Sequence, residues 1–286
     1  MRPHALLWPS LVCFVTPLAV AAPVVTEHVT AELIALESSL QPGRKATLGV
    51  HLKHAPHWHT YWINPGDSGL PTRLEWQLPS GYRVSDVAWP APQRFDLGGL
   101  FNFGYDGSIV LPVSVDVPAN ASSTARFAVE AKWLVCSEAC IPGKATLSLE
   151  LPLQSQNPTT NARHAPLFQA AQARQPQATD WRGTAVDTGK GVRIELHGKD
   201  IPNAQGVDVF PSESKLLGNG PPKFEWRGGV LVIDAAKSEY FETAPASLTL
   251  VFTQAVTASR GARAWRVTVP WTSRASTSSL PVTSSR

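Results

Sequence analysis

A chain of 286 residues with a formal net charge of +3 and 16% charged residues has room for two domains of ordinary size. The charge bias is slight, and there is no basic run or aromatic–basic interleaving, so no nucleic-acid partner is expected. Past residue 21 no apolar stretch approaches the ~20 residues a membrane span needs, and of the three cysteines only Cys136 and Cys140 lie there.

Residues 1–21 read as a secretory signal peptide. Arg2 stands near the start, an apolar run over residues 5–20 is broken by Pro9 and Pro17, and Ala19-Val20-Ala21 offers a small-x-small cleavage site. Val12, bulky and directly before Cys13, argues against lipid attachment there. The mature product is therefore expected to be exported with a lone pair of cysteines.

Over residues 24–153 short alternating runs are separated by Pro, Gly, Asn and Asp. They fall at 29–36, 46–52, 72–78, 109–117, 125–133 and 145–151. Strands spaced this way, with no amphipathic helix between them, predict an antiparallel β-sandwich. The 25 prolines suit sheet edges and turns better than helices. Residues 154–180 read as a linker: a polar break, then a short alanine-rich helix over 165–174 bounded by Pro166 and Pro176. The strand pattern resumes over 181–271, at 192–196, 207–210, 230–233, 247–252 and 264–269, predicting a second β-sandwich without cysteine. The Ser/Thr-rich residues 272–286 predict a disordered tail. The expected class is all-β, two antiparallel sandwich domains joined by a short helical linker.

Cys136 and Cys140 lie between two of these strands, with Pro142-Gly143 as the turn signal. Three intervening residues allow a disulfide if the chain curls. Closing so small a ring removes only ~2 kcal/mol of chain entropy. That is weak for a staple and favours a redox pair, with a structural bridge and a metal-binding pair as the other readings. Glu138 between them would disfavour a thiolate, while Lys132 and Lys144 flank the loop and could oppose it.

His51, His54, His57 and His59 crowd one short run. If the run continues as a strand, His57 and His59 share a face and could join Cys136 and Cys140 in a copper site. Turn and packing histidines beside Trp58, Tyr61 and Trp62 are the more economical reading, so neither metal nor other cofactor is expected. Residues 95–105 carry apolar side chains among Gly98, Gly99 and Gly104, which predicts a segment able to move and to cover a reactive disulfide. No paired carboxylates, Ser/His/Asp order or phosphate-cradling glycine loop is present.

Four stretches occur together and in order: His-Thr-Tyr-Trp-Ile-Asn-Pro-Gly-Asp-Ser-Gly (59–69), Trp-Pro-Ala-Pro-Gln-Arg-Phe (89–95), Phe-Gly-Tyr (103–105) and Trp-Leu-Val-Cys-Ser-Glu-Ala-Cys-Ile-Pro (133–142). With them the region 24–153 resembles the periplasmic amino-terminal domain of the DsbD/ScsB thiol:disulfide interchange family, and residues 181–271 resemble, more weakly, the second β-domain of longer ScsB-like members. The resemblance implies immunoglobulin-like sandwiches and the activity of a protein-disulfide reductase component in the periplasm. It also implies that Cys140 forms mixed disulfides, that Cys136 resolves them, and that the loop around Leu100, Phe101 and Phe103 acts as a cap. The implied partners are a membrane electron donor of DsbD/ScsB type and a periplasmic disulfide isomerase or other thioredoxin-fold client. Two departures stand out. The cysteine spacing is shorter than in the best-known DsbD domain. The multi-span electron-conducting and thioredoxin domains have no counterpart here, so either the donor is a separate protein or the chain is a truncated relative.

Overall fold

The structure of the protein is a computed structural model that describes residues 22–202, 206–254 and 263–273. The expected signal peptide and residues 274–286 of the expected tail lie outside these. Within them the chain forms two immunoglobulin-like sandwiches.

The first contains β1 (Val24–Val25), β2 (Val29–Ala35), β3 (Lys45–His54), β4 (His59–Gly66), β5 (Arg73–Gln77), β6 (Arg83–Val84), β7 (Gln93–Leu97), β8 (Leu100–Asp106), β9 (Ser108–Asp116), β10 (Ala125–Cys136) and β11 (Cys140–Leu151). One sheet runs β1-β2-β3-β9-β6 and the other β11-β10-β4-β8-β7, with β5 also paired to β10. Period-2 alternation dictates which side chains enter the core. Along β10, Phe127, Val129, Ala131, Trp133 and Val135 point inward and meet Leu33, Leu48 and Leu111 of the facing sheet.

The helix, α1 (Ala165–Ala173), starts where Pro166 fits the first turn, which needs no N–H there. It is not a free linker. Phe168 and Ala171 pack on Ile34 and Val110, on the outer side of the first sheet. His164 Nδ1 donates to the Ala35 carbonyl at 3.1 Å, and Arg174 Nη2 to the Ala91 carbonyl at 2.8 Å. The helix therefore belongs mechanically to the first sandwich.

The second sandwich holds β12 (Gln177–Ala178), β13 (Arg182–Asp187), β14 (Gly191–His197), β15 (Val207–Pro211), β16 (Lys223–Arg227), β17 (Val230–Ala236), β18 (Ser247–Gln254) and β19 (Arg263–Ser273), in the order β15-β18-β19-β13-β14-β17-β16. Strand β19 pairs antiparallel with β18 and then, at Trp271, parallel with β13, so one long strand passes from one layer to the other. Between the layers lie Ile194, Leu231 and Ile233 on one side and Leu250, Phe252 and Val267 on the other. Thr272, expected to open the disordered tail, is instead part of β19. No helix among the described residues is long and apolar enough to cross a membrane.

Candidate functional site

The β10–β11 ladder keeps strict register from Ala125↔Leu151 to Cys136↔Cys140. The turn is Ser137-Glu138-Ala139, and Pro142 and Gly143, read as the turn signal, lie inside β11. Cys136 and Cys140 are thus the last facing pair of a long hairpin. Their Cα atoms are 4.2 Å apart and their sulfurs are bonded. The two are not equivalent. Cys136 is 0% exposed, whereas Cys140 is exposed at the hairpin tip.

Alternation would turn Cys136 outward, since Val135 beside it points into the core. It is buried because the outer face is covered here. Strand β4 pairs His59 directly opposite Cys136, and β8 places Asp106 on the other side of His59. Two residues along β4, on the same face, is Tyr61. Its hydroxyl lies 3.7 Å from Cys140 Sγ, and because a disulfide sulfur carries no hydrogen, the tyrosine is the donor. Burial pushes the Tyr61 phenol above its usual range, a hydrogen bond with Ser68 opposing. Phe95 of β7 stacks on the His59 ring at 4.4 Å, and His59 meets Tyr61 edge-on at 5.3 Å. Gly69 makes room for this arrangement, because a Cβ there would fall inside the Tyr61 ring. Tyr61 and Phe95 were absent from the expected site, and His59 entered it only as a copper ligand beside His57. The period-2 spacing of His59 and Tyr61 in residues 59–69 was the available signal for those two.

Several expected contributors lie elsewhere. Lys132 and Lys144 face each other four residues back from the cysteines, ~13 Å away at strand rise. Lys132 Nζ is already 2.8 Å from both Glu75 and Glu130. The expected flexible segment around Leu100, Phe101 and Phe103 is a paired hairpin, β7–β8, turning at Gly98-Gly99. Phe103 points into the core and is 0% exposed, away from the disulfide. Gly104 serves close packing, since a Cβ would strike the Thr60 carbonyl.

The histidines also separate. His57 takes a left-handed conformation (φ 70°) in an exposed turn between β3 and β4, so it shares no strand face with His59. His51 Nε2 meets Ser108 Oγ at 2.9 Å. His54 Nδ1 donates to the Gly107 carbonyl at 3.0 Å, which leaves Nε2 to accept from Thr60 Oγ1 at 2.9 Å. Burial lowers its pKa to about 4. Among the described residues no three His, Cys, Asp or Glu side chains are grouped as metal ligands, so the copper set of Cys136, Cys140, His57 and His59 is not assembled.

The motif residues have a second partner. Asn64 Nδ2 donates to the Pro211 carbonyl at 2.8 Å, and Asn219 Nδ2 donates to Asp67 Oδ1 at 2.8 Å. Phe210 of β15 packs edge-on against Phe103 (5.0 Å) and Trp62 (6.3 Å). The Arg94 guanidinium lies over both the Phe103 ring (4.9 Å) and the Phe210 ring (5.1 Å) and binds Asp208 through two nitrogens, at 3.0 and 2.6 Å. It also donates to the carbonyls of Val209 (2.9 Å) and Asn219. The second sandwich is therefore docked on the turn that carries Tyr61 and Gly69.

A sandwich with a disulfide closing the tip of an exposed hairpin is the frame of a thiol:disulfide interchange module. Residues 28–152 match the family described as thiol:disulfide interchange protein DsbD, N-terminal. Among solved structures the chain is similar to the N-terminal periplasmic domain of ScsB from Proteus mirabilis, at 18% identity and a TM-score of 0.64, over 89% of this chain and 99% of that one. That likeness establishes a shared fold across both sandwiches. A titin fragment (10% identity, TM-score 0.21, 86% and 100% coverage) and the sporulation control protein Spo0M of Bacillus subtilis (8%, 0.23, 85% and 91%) share too little geometry to inform this chain. No curated protein matches it.

Proposed function

We propose that the protein is an exported thiol-disulfide carrier, the soluble partner of a membrane electron donor of DsbD/ScsB type. It passes reducing equivalents to oxidised periplasmic proteins of the thioredoxin fold, a disulfide isomerase among them. The observation that carries this reading is the unequal exposure of the two cysteines: Cys136 is fully buried and Cys140 is exposed.

In the reduced carrier the Cys140 thiolate attacks a client disulfide, forming a mixed disulfide and releasing one client thiolate. Cys136 then attacks Cys140 Sγ, which restores the Cys136–Cys140 bond and releases the second client thiolate. Two electrons pass to the client, and two protons from water complete its thiols. A dithiol of the membrane donor returns the carrier to its reduced state by the same steps reversed. Leu97 and Leu100, exposed on the same sheet face as Phe95, and Leu70 beside Gly69 give an apolar rim suited to a protein partner.

The test is equilibration of the folded protein with glutathione. The reading requires a potential above the roughly −300 mV typical of structural bridges. It also requires Cys136→Ala to accumulate a mixed disulfide with a model protein disulfide, while Cys140→Ala accumulates none. A native bond that glutathione leaves intact would refute it.

A further inference from the structure

His59 presents an unexplained cost. It is 2% exposed, and its Nε2 is fully buried with no hydrogen-bond partner. A buried polar atom left unpaired costs about 1–3 kcal/mol, and such an atom calls for a reason in another state of the protein. The reason lies in the ladder. His59 faces Cys136 directly across β4 and β10, on the same side of the sheet, where facing Cβ atoms stand about 4.5–5.5 Å apart. In the oxidised protein Cys136 Sγ is bonded to Cys140 and carries no charge for an N–H to meet.

We propose that His59 is the hydrogen-bond donor for the Cys136 thiolate, a partner that exists only once the disulfide opens. The inference rests on the carrier reading and adds to it the group that receives the charge. An incoming thiolate forms a bond to exposed Cys140 Sγ, the Cys140–Cys136 bond breaks, and the electron pair leaves on Cys136 Sγ. That sulfur is 0% exposed, so water cannot solvate it. A neutral imidazole with its hydrogen on Nε2 supplies the missing donor, and no proton needs to change hands.

Stacking on Phe95 and the edge contact with Tyr61 fix the ring. Burial keeps His59 below its ordinary pKa and hence neutral in the resting state, the Asp106 charge opposing. The titratable groups around it are the two cysteines on the hairpin, Asp106 on β8, Tyr61 on its own strand and His54 on β3. Asp106 is turned partly away by accepting from Gln93 Nε2 at 3.0 Å.

The experiment compares wild type, His59→Phe and His59→Gln in the full chain. Phenylalanine keeps the stack and removes the donor, while glutamine restores an amide N–H. Reduction by dithiothreitol is followed across pH, together with the glutathione equilibrium. Half of a charge-assisted hydrogen bond at the transition state is worth about tenfold in rate. His59→Phe should therefore be reduced about tenfold more slowly, with its equilibrium shifted toward the disulfide, and His59→Gln should recover most of the loss. Equal rates and equilibria for wild type and His59→Phe would overturn the assignment. A wild-type bond that glutathione cannot reduce would instead sink the carrier reading itself. Should His59→Phe fail to fold, the wild-type protein still decides: the His59 ring signals in NMR must shift on reduction, and unchanged signals refute the proposal.

Discussion

Arg94 offers the sharpest check on how the two sandwiches are joined. Its side chain is 9% exposed and that of Asp208 33%. Removing one member of a buried pair usually costs 3–5 kcal/mol because the survivor is left uncompensated. Here the two singles should differ from each other in a known direction. After Arg94→Met the Asp208 carboxylate can turn to water, so the cost should fall to about 2–3 kcal/mol, the thioether still covering the Phe103 and Phe210 rings. After Asp208→Asn the guanidinium stays enclosed by two aromatic rings with only carbonyls for company, and about 3–5 kcal/mol is expected. In the double variant no buried charge remains, so the losses should not add, and a coupling of about 1.5–3 kcal/mol should appear. Urea unfolding of all four proteins, followed by tryptophan fluorescence and by far-ultraviolet dichroism, supplies the cycle. In the single variants the two signals should also separate as the sandwiches unfold at different midpoints. Additivity within about 0.5 kcal/mol, or singles indistinguishable from wild type, would mean that the ion pair does not hold the domains together.

Gly69→Ala must force a side chain into a left-handed site (φ 96°) and against the Tyr61 ring. A loss of about 2–4 kcal/mol is expected from the two effects together, and a urea midpoint unchanged from wild type would refute the packing described. His54 binds a proton with pKa about 4 when folded, against 6.5 in the unfolded chain, so unfolding takes up a proton between those values. Its contribution is therefore complete above pH 6.5 and falls by about 3 kcal/mol as pH drops to 4. A His54→Gln variant should show a flatter stability–pH curve over that window, and an equally steep one would refute the assignment. Phe168→Ala should cost about 3 kcal/mol by removing the anchor of α1, read as early proteolysis on the carboxyl side of residue 153, and protection equal to wild type would count against the docking of the helix. Cys136→Ser/Cys140→Ser should remain folded and lose no more than about 2 kcal/mol, measured against the oxidised wild type. Complete unfolding would restore the bond to a structural role.

The sandwich strands were legible because each has one face in the core, which writes a period of two into the sequence. That signal failed at β7–β8, read as a mobile loop. The reason is that both faces of this hairpin are used: Phe103 turns inward to Phe210 while Phe95 turns outward to His59. Alternation is blurred where apolar side chains stand on both faces, and the glycines there serve a tight turn and a close strand approach. The histidine run misled for a different cause. His57 adopts a turn conformation, so the face it was to share with His59 is broken two residues before β4 begins. Local spacing could not reveal that Asn64, Asp67 and Arg94 would bind residues 147, 152 and 114 positions away. Those residues belong to the stretches that resemble a redox domain, and their contacts go to the second sandwich.

The site itself was half legible. Two cysteines at a strand's end could be read directly, but their inequality could not, because it depends on what lies across the sheet. Cys136 is sheltered by a neighbour on β4, while Cys140 begins β11 right after the three-residue turn and stays exposed although the Tyr61 hydroxyl reaches its sulfur. The same geometry bears on why the bond exists. A ladder running from Ala125 to Cys136 already fixes the hairpin, so a cross-link at its last pair constrains residues that hydrogen bonds have largely ordered. A stabilising bridge would gain more by joining the two sheets or the two sandwiches. A bond placed where it adds least to the fold, and where one of its two cysteines is exposed, suits the exchange proposed above, and the buried, unpaired nitrogen of His59 opposite Cys136 fits that use.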